Sequence, residues 1–484
     1  MTEQITPSLS QNEAALRRLL DSCGDVLFRP LALDGSPPMR ALLVYCTSVF
    51  DARFLDEQAL AAILLQLHQG LHSTPAAPEP PDLAALVGRR SLPLGTPHPV
   101  LTVQDCMEMI LTGHLALLVD GCSGALLFRV LSNVGRSVTE PVVEGVIRGP
   151  REGLVEQLDT NITLVRRRLQ TPAFRLERSW VGARTRTEVA MLWLDGVVSP
   201  RVVARVRRRL RRVKLDGVLD SAYLEEFMED ARLSPFPTIG HTERPDRVAA
   251  GLLEGQVALI VAGSPQALIL PITFMQLLHS PEDYYERFYA GTLLRALRVL
   301  AAFLALTLPS LYVAVTTYHH EMIPSALFQA LASQREGVPW PAVMEAFLME
   351  IAFELLREAG IRLPRPVGQA VSIIGGLVIG EAAIRARIAS AGMIIIVATT
   401  GIASYAVPAY SLSISLRLIR FVLMALAGTL GLHGVVVGLL LVLIHLLGLR
   451  SFGVPYLSPV SPLRLAHWRD ALLRAPWWHM RRHL

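Results

Sequence analysis

At 484 residues the chain has room for about three domains, yet 52% of its residues are apolar, only 18% are charged, and its mean hydropathy is +0.41. A typical soluble domain carries roughly a quarter charged residues, so the balance excludes both intrinsic disorder and a wholly soluble globule. The net charge of +5 rests almost entirely on arginine, Lys214 being the only lysine, and gives no reason to expect a nucleic-acid partner. The charge is also segregated. Dense charge clusters precede Arg298, whereas 388–416 and 421–449 contain no Asp, Glu, Lys or Arg.

In chain order, residues 1–24 predict a short helix, with Ser8, Ser10 and Asn12 as candidate caps before AALRRLL. MRALLVYC (39–46) reads as a buried strand, LDEQALAAILLQLHQG (55–70) as a helix, and the proline-, serine- and glycine-rich 73–100 as a loop. HLALLVDGCSGALLF (114–128) places two apolar runs around Asp120-Gly121-Cys122-Ser123, the pattern of a β-hairpin. QVALIVAGSPQALIL (256–270) repeats it at an offset of 142, matching Ala116 with Ala258, Gly121 with Gly263 and Gly113 with Gly255. EVAMLWLDG (188–196) and SPRVVARVRRRLRRV (199–213) likewise parallel the strand and helix of 39–70. The expected fold class is a cytosolic α/β region of two related subdomains, 1–140 and 141–285, with chance likeness of short hairpins as the alternative.

Smaller signals fall inside that region. In VIRGPREG (146–153), Pro150 has the φ of a first helical turn and Glu152 suits a helix N-terminus, so a helix is expected there. Arg148 and Arg151 flank it as candidate intersubunit contacts. Thr242 is a candidate N-cap for the helix leading to Gly255. The arginine run 207–212 reads as a solvated face, or as a site for an acidic partner or lipid headgroups. Cys23, Cys46, Cys106 and Cys122 show no close spacing, and the N-terminal segment lacks an apolar signal core, so reduced thiols in the cytoplasm are expected.

Residues 286–450 read as an all-α membrane domain with four spans, at about 299–320, 366–384, 390–410 and 421–448, followed by a basic cytosolic tail, 451–484. Both termini then share one side, while Arg417 and Arg420 fall on the other. Between the first two spans, 339–360 carries Glu345, Glu350, Glu354 and Glu358. Each carboxylate facing lipid would cost up to about 3 kcal/mol, so an interfacial or assembly-shielded helix is expected. Glu350, Glu354 and Glu358 share one face, read either as the border of a cation vestibule or as partners of Arg357, Arg362 or Arg365. Gly376 with Gly380, and Gly434 with Gly438, form GxxxG pairs suited to close helix packing. Val371, Ile374, Val378 and Glu381 fall on one helical face. Around an oligomer axis they would form apolar gate rings capped by a cation-selecting carboxylate ring, with ordinary core contacts as the alternative. His319-His320-Glu321 lacks the HExxH spacing, and no P-loop, GxSxG or GxGxxG pattern occurs, so no enzyme chemistry, metal or cofactor is expected.

Eight segments carry a family resemblance: VIRGPREG (146–153), TNITLVRRRLQTP (160–172), SPFPTIGHTERPD (234–246), SPEDYYERF (280–288), HHEMIP (319–324), FELLREAGIRLPRPVG (353–368), IIGGLVIGEAAI (373–384) and RSFGVPYLSP (450–459). In this order, from about Pro141 to Pro462, they resemble the GerA-type spore germination proteins, the A-subunit class of germinant receptors or its paralogue associated with the SpoVA channel. The resemblance implies an endospore inner-membrane protein with its N-terminal domain on the core side. It also implies a transporter-like B subunit and a lipoprotein C subunit as partners, with lipid around the spans. The A subunits of such receptors are expected to form a homo-oligomeric, pentameric, nutrient-gated ion channel. A solute transporter and a non-conducting scaffold are the rival classes.

Overall fold

Alternating apolar runs and glycine turns build two five-stranded antiparallel sheets before Pro271. The computed structural model describes residues 3–20, 23–33, 39–49, 97–129, 140–141, 144–363, 365–463, 468, 470–471 and 473–479. The expected helix at 55–70 lies outside them. The first subdomain contains α1 (Leu9–Leu20), β1 (Val26–Leu33), β2 (Met39–Cys46), β3 (His98–Val100), α2 (Val103–Leu111), β4 (His114–Val119) and β5 (Ala125–Arg129). The second contains α3 (Leu158–Arg166), β6 (Phe174–Val181), β7 (Thr187–Leu194), α4 (Pro200–Leu210), α5 (Ser221–Met228), β8 (Gly240–Thr242), α6 (Pro245–Leu253), β9 (Val257–Val261) and β10 (Ala267–Leu270).

The strand orders are β1-β2-β4-β5-β3 and β6-β7-β9-β10-β8, one topology used twice. Local devices repeat with it. Gly121 and Gly263 turn the two hairpins at φ values of +83° and +86°, which glycine adopts without a Cβ clash. Their amides donate to Pro7 and Glu156 carbonyls, each at 2.8 Å. Asn12 and Asn161 each clamp the backbone six residues earlier, at Thr6 and Val155, accepting from its amide and donating to its carbonyl. The matched hairpins are therefore parts of matched sheets. Asn12 is a clamp inside α1, not its cap.

Other local expectations shift. His98–Val100, expected as loop, is an edge strand on β5. Pro150 does not open a helix, because 144–157 runs without one and α3 starts only at Leu158. Thr242 lies in β8, where its hydroxyl accepts from the Arg244 amide, and Arg244 holds the N-cap position with Pro245 next. All four cysteines are buried, and none of them forms a disulfide.

The short helices α7 (Phe274–Leu278) and α8 (Glu282–Tyr285) lead into a bundle of α9 (Phe288–Thr317), α10 (Ser325–Arg335), α11 (Ala342–Arg362), α12 (Arg365–Arg385), α13 (Ala391–Tyr405) and α14 (Tyr410–Gly448). Of the helices at the four expected spans, α9 and α14 are long and apolar enough to cross a membrane. The apolar α13 has 15 residues, about 22 Å of helix against a hydrocarbon layer of ~30 Å.

The expected single span at 421–448 is instead bent near its middle, taking in the end of one leg of a hairpin, the turn and the returning leg. Gly431, at φ +61° and ψ −142°, breaks α14. A Cβ at Gly434 would lie against the Leu426 carbonyl, and one at Gly438 against the Leu423 side chain. Residues eight apart in a straight helix are separated by about 12 Å, so the two legs must run antiparallel. Both ends of the hairpin meet the same loop: Ser415 donates to the Pro235 carbonyl and His445 bonds Ser234 at 2.8 Å. Its tip packs on the far end of α9, where Tyr318 donates to the Gly428 carbonyl at 2.9 Å. Arg417 and Arg420 thus lie in the part of the first leg that is near the 234–235 loop.

Described parts of the segment after Leu449 are docked on the rest of the chain. Phe452 is buried in the core of the second sheet with Val202, Val206 and Leu259. Asp470 then pairs with Arg295 at the base of α9 at 2.8 Å, beside the Asp283 pairs to Arg295 and Arg298 at 3.0 and 2.6 Å.

Candidate functional site in the helical bundle

The apolar helices bury an unusual amount of charge. α11 brings three carboxylates, Glu345, Glu350 and Glu354, into the bundle, and α14 brings two arginines from its first leg. Glu350 and Arg420 are both fully buried and pair at 3.2 Å. Glu354 accepts from Arg417 at 2.9 Å and from Arg420 at 3.2 Å, and sits 3.4 Å from Arg357. Arg357 also donates to Ser404 of α13 at 3.3 Å, with its guanidinium 5.4 and 5.3 Å from the Phe353 and Tyr405 rings. Two carboxylates thus meet three guanidiniums. Buried charges persist in apolar surroundings only when paired, and here the pairing joins α11, α13 and α14.

The network is incompletely satisfied by protein groups. Both Glu350 oxygens, Nε and Nη1 of Arg420, Nη2 of Arg417 and Nε of Arg357 are buried without a hydrogen-bond partner, although the ion pairs bring opposite charges close. Toward the other end, Glu345 is fully buried and accepts from both the amide and hydroxyl of Ser390 at 2.6 Å, with Arg335 3.7 Å away. Glu358, the outermost of the row, is exposed and pairs with Arg362 at 2.6 Å.

Glu345 and Glu350 of α11 are buried, and Glu354 largely covered, by partners within this chain, while Met344, Leu348, Ile351 and Leu355 leave an exposed apolar face on the helix. Of the three glutamates expected on a vestibule face, Glu350 and Glu354 turn to arginines inside, and Glu358 meets one of the arginines weighed for it. Sequence reading missed Arg417 and Arg420 as partners. Their signal was present: two arginines three residues apart, set between uncharged stretches of 388–416 and 421–449, require buried counter-charges.

The expected gate face is only partly described. Val378 is exposed, and Glu381 is exposed and paired with Arg385 at 2.5 Å, while the side chains of Val371 and Ile374 lie outside the described residues. Along α12, Gly380 is buried with its Cβ position 3.5 Å from Ile394. Gly376 is exposed, and its neighbour Gly375 is the tight position, 2.5 Å from Leu356. Gly434 and Gly438 form the close contact of the α14 hairpin. Arg148 and Arg151 are exposed, the latter 3.8 Å from Glu140.

Comparison with known proteins places this architecture. Residues 14–484 match the model of the Bacillus/Clostridium GerA spore germination protein family. The uncharacterized membrane protein YfkQ of Bacillus subtilis (strain 168) is 41% identical over 478 residues, covering 99% of this chain and 91% of the relative. Spore germination protein KA of the same organism is 41% identical over 474 residues, covering 98% and 86%. Spore germination protein GerLA of Bacillus cereus is 38% identical, covering 95% and 92%. Among solved structures, the N-terminal domain of the A subunit of the Bacillus megaterium spore germinant receptor GerK3 aligns at a TM-score of 0.44 and 26% identity, covering 57% of this chain and 98% of that one. With a family match over nearly its whole length and relatives of this similarity, the chain belongs to the GerA spore germination protein family.

Proposed function

We propose that the chain is the membrane-embedded A-type subunit of a spore germinant receptor, which assembles as a homo-oligomer into a nutrient-gated cation channel and carries out no bond-making chemistry. The observation that carries the reading is the charged network of Glu350, Glu354 and Arg357 of α11 with Arg417 and Arg420 of α14, buried in a bundle that contains apolar helices long enough to span a bilayer. Ionisable groups held in a membrane bundle at such cost mark ion pathways more often than they mark stability. Spore germination relatives on either side of 40% identity place the action at germination. The setting follows from the same reading: the endospore inner membrane, with the two soluble subdomains on the core side and transporter-like B and lipoprotein C subunits as partners.

The gate is assigned to α12. Val378 and Glu381 lie on an uncovered face of the subunit, as residues facing an oligomer axis must. Glu350 and Glu354 are covered and neutralised by arginines, so they act within the subunit and do not enrich cations in a vestibule, whereas Glu381, though paired with Arg385, is exposed. Val378→Ala should wet the closed ring and produce ion leakage without nutrient, whereas Glu381→Gln should lower cation selectivity. Ion flux from purified protein in liposomes, with and without the partner subunits and nutrient, is the deciding measurement. Stoichiometric nutrient uptake would make the chain a transporter, and absence of flux under all conditions would make it a scaffold.

A further inference from the structure

A cavity of about 780 Å³ lies where the soluble region meets the base of the α14 hairpin. Arg209 and Arg212 line it from the end of α4, Phe227 and Arg232 from α5 and the loop beyond, and Ser234 and His445 close it on the bundle side. Its acidic residues are already engaged. Asp230 takes Arg209 and the Phe452 amide, while Glu229 accepts from the Thr238 amide at 3.2 Å and burial pushes its carboxyl pKa up. Arg212 and Arg232 have no carboxylate partner among the described residues, although Arg232 donates to the Phe227 carbonyl at 3.2 Å. The cavity therefore offers uncommitted positive charge, with a hydroxyl and an imidazole beside it.

Apolar surface runs from the same spot. Val437, Leu441, Ile444 and His445 lie on one face of the returning leg at i, i+4, i+7 and i+8, and the first three are 46%, 59% and 64% exposed. Leu233, on the cavity rim, is fully exposed. A cationic pocket at the foot of an uncovered apolar strip matches one kind of molecule: a polar anionic head carrying hydrocarbon chains.

We propose that this cavity seats the phosphate headgroup of an anionic phospholipid whose acyl chains lie along Val437, Leu441 and Ile444. The bound lipid ties α4 and the 229–235 loop to the bundle, at a loop that contacts both ends of the α14 hairpin. The proposal rests on the reading that α14 lies in a bilayer.

The test uses the full chain purified in detergent, with thermal unfolding followed as dioleoyl phosphatidylglycerol, dioleoyl phosphatidylcholine or inorganic phosphate is added. Phosphatidylglycerol should raise the midpoint well above phosphatidylcholine. Arg212→Gln and Arg232→Gln should each weaken its apparent affinity roughly fivefold, the share of one arginine at an anionic surface. Arg208→Gln, on the exposed side of α4, should match the unaltered chain. Equal effects of the two lipids, or undiminished phosphatidylglycerol affinity in the double variant, would overturn the proposal. Inorganic phosphate matching phosphatidylglycerol would make this a soluble-anion site and equally overturn it. A lipid-independent dimer masking the strip would assign it to a second copy instead. Extraction of the liposome-reconstituted protein by alkaline carbonate separates the two levels: release would defeat the membrane reading itself, and retention leaves the lipid arms decisive.

Discussion

Asp25 and Arg166 meet between the two soluble subdomains as one carboxylate and one guanidinium, both fully buried and 3.3 Å apart. In the bundle, Glu350 and Glu354 meet Arg357, Arg417 and Arg420. The first cluster is matched in charge. It also has local help, since Cys46 donates its thiol to Asp25 at 3.1 Å and Arg166 lies 4.6 Å over the Phe174 ring. The second has a surplus cation: Glu354 is shared among Arg357, Arg417 and Arg420, while Glu350 meets Arg420 alone among the described residues. A matched pair can be exchanged for apolar side chains of similar volume at little cost, whereas a surplus charge in an apolar bundle remains a burden on stability. On the function proposed above, that burden fits a working part of the channel, while the matched pair fits docking of one subdomain on the other.

The largest effect should come from Arg420→Ala, which strands buried Glu350 and weakens the hold on Glu354. A loss of about 3–5 kcal/mol is expected, read as a lower thermal midpoint in detergent. Glu358→Gln, at an exposed pair, should cost under about 1 kcal/mol. If the two variants unfold together, the bundle network is not what holds α11 to α14.

A loss of about 3 kcal/mol is expected for Asp25→Ala, for the same reason of an unpaired buried cation. The double change Asp25→Leu with Arg166→Met should recover most of it in denaturant titration. A double variant no better than the single would show that the soluble pair, too, does more than dock.

The smallest effect is a pH response at the base of α9. The ring of His279 bonds the Ala471 carbonyl at 2.7 Å, and burial, with Arg295 adding to it, pushes its pKa down to about 4 from 6.5. The docked ring is neutral, whereas a released ring binds a proton below about pH 6.5. Docking of the segment around Ala471 is therefore complete above that pH and weakens as pH falls toward 4. Trp477 packs 6.0 Å from Tyr284 and reports on it. Its emission should shift to the red across this window, and His279→Gln should abolish the shift. An unchanged shift in that variant would transfer the response to the neighbouring aspartates.

The same contrast explains what the sequence made legible. The 114–128 and 256–270 hairpins could be read because apolar runs and central glycines are local signals, and their repetition carried the two-sheet plan. The edge strands at 98–100 and 240–242 are three residues long and owe their conformation to a neighbour across the sheet, so proline-rich or glycine-containing sequence hid them. The row of glutamates on α11 was visible as a helical pattern. Its partners were not, because 66 residues separate Glu354 from Arg420 and only packing brings them together. Gly431 was hidden for a third reason: the 428–434 turn has only Thr429 and His433 as polar residues amid apolar sequence, and one glycine among several makes the bend.

That turn has a consequence for the timing of folding. A straight helix through Gly431 would deliver Phe452 to the end of the bundle remote from the sheets. Because the chain reverses there, Phe452 returns to complete the core beneath β9, with Arg209 stacked 4.5 Å over its ring. The second sheet is thus assembled from residues translated before the bundle and sealed by one translated after it. At about 5–20 residues per second, ribosomal synthesis separates the two by roughly ten seconds or more. During that interval the soluble region carries an open core face, closed only once the last pass of the hairpin has been inserted.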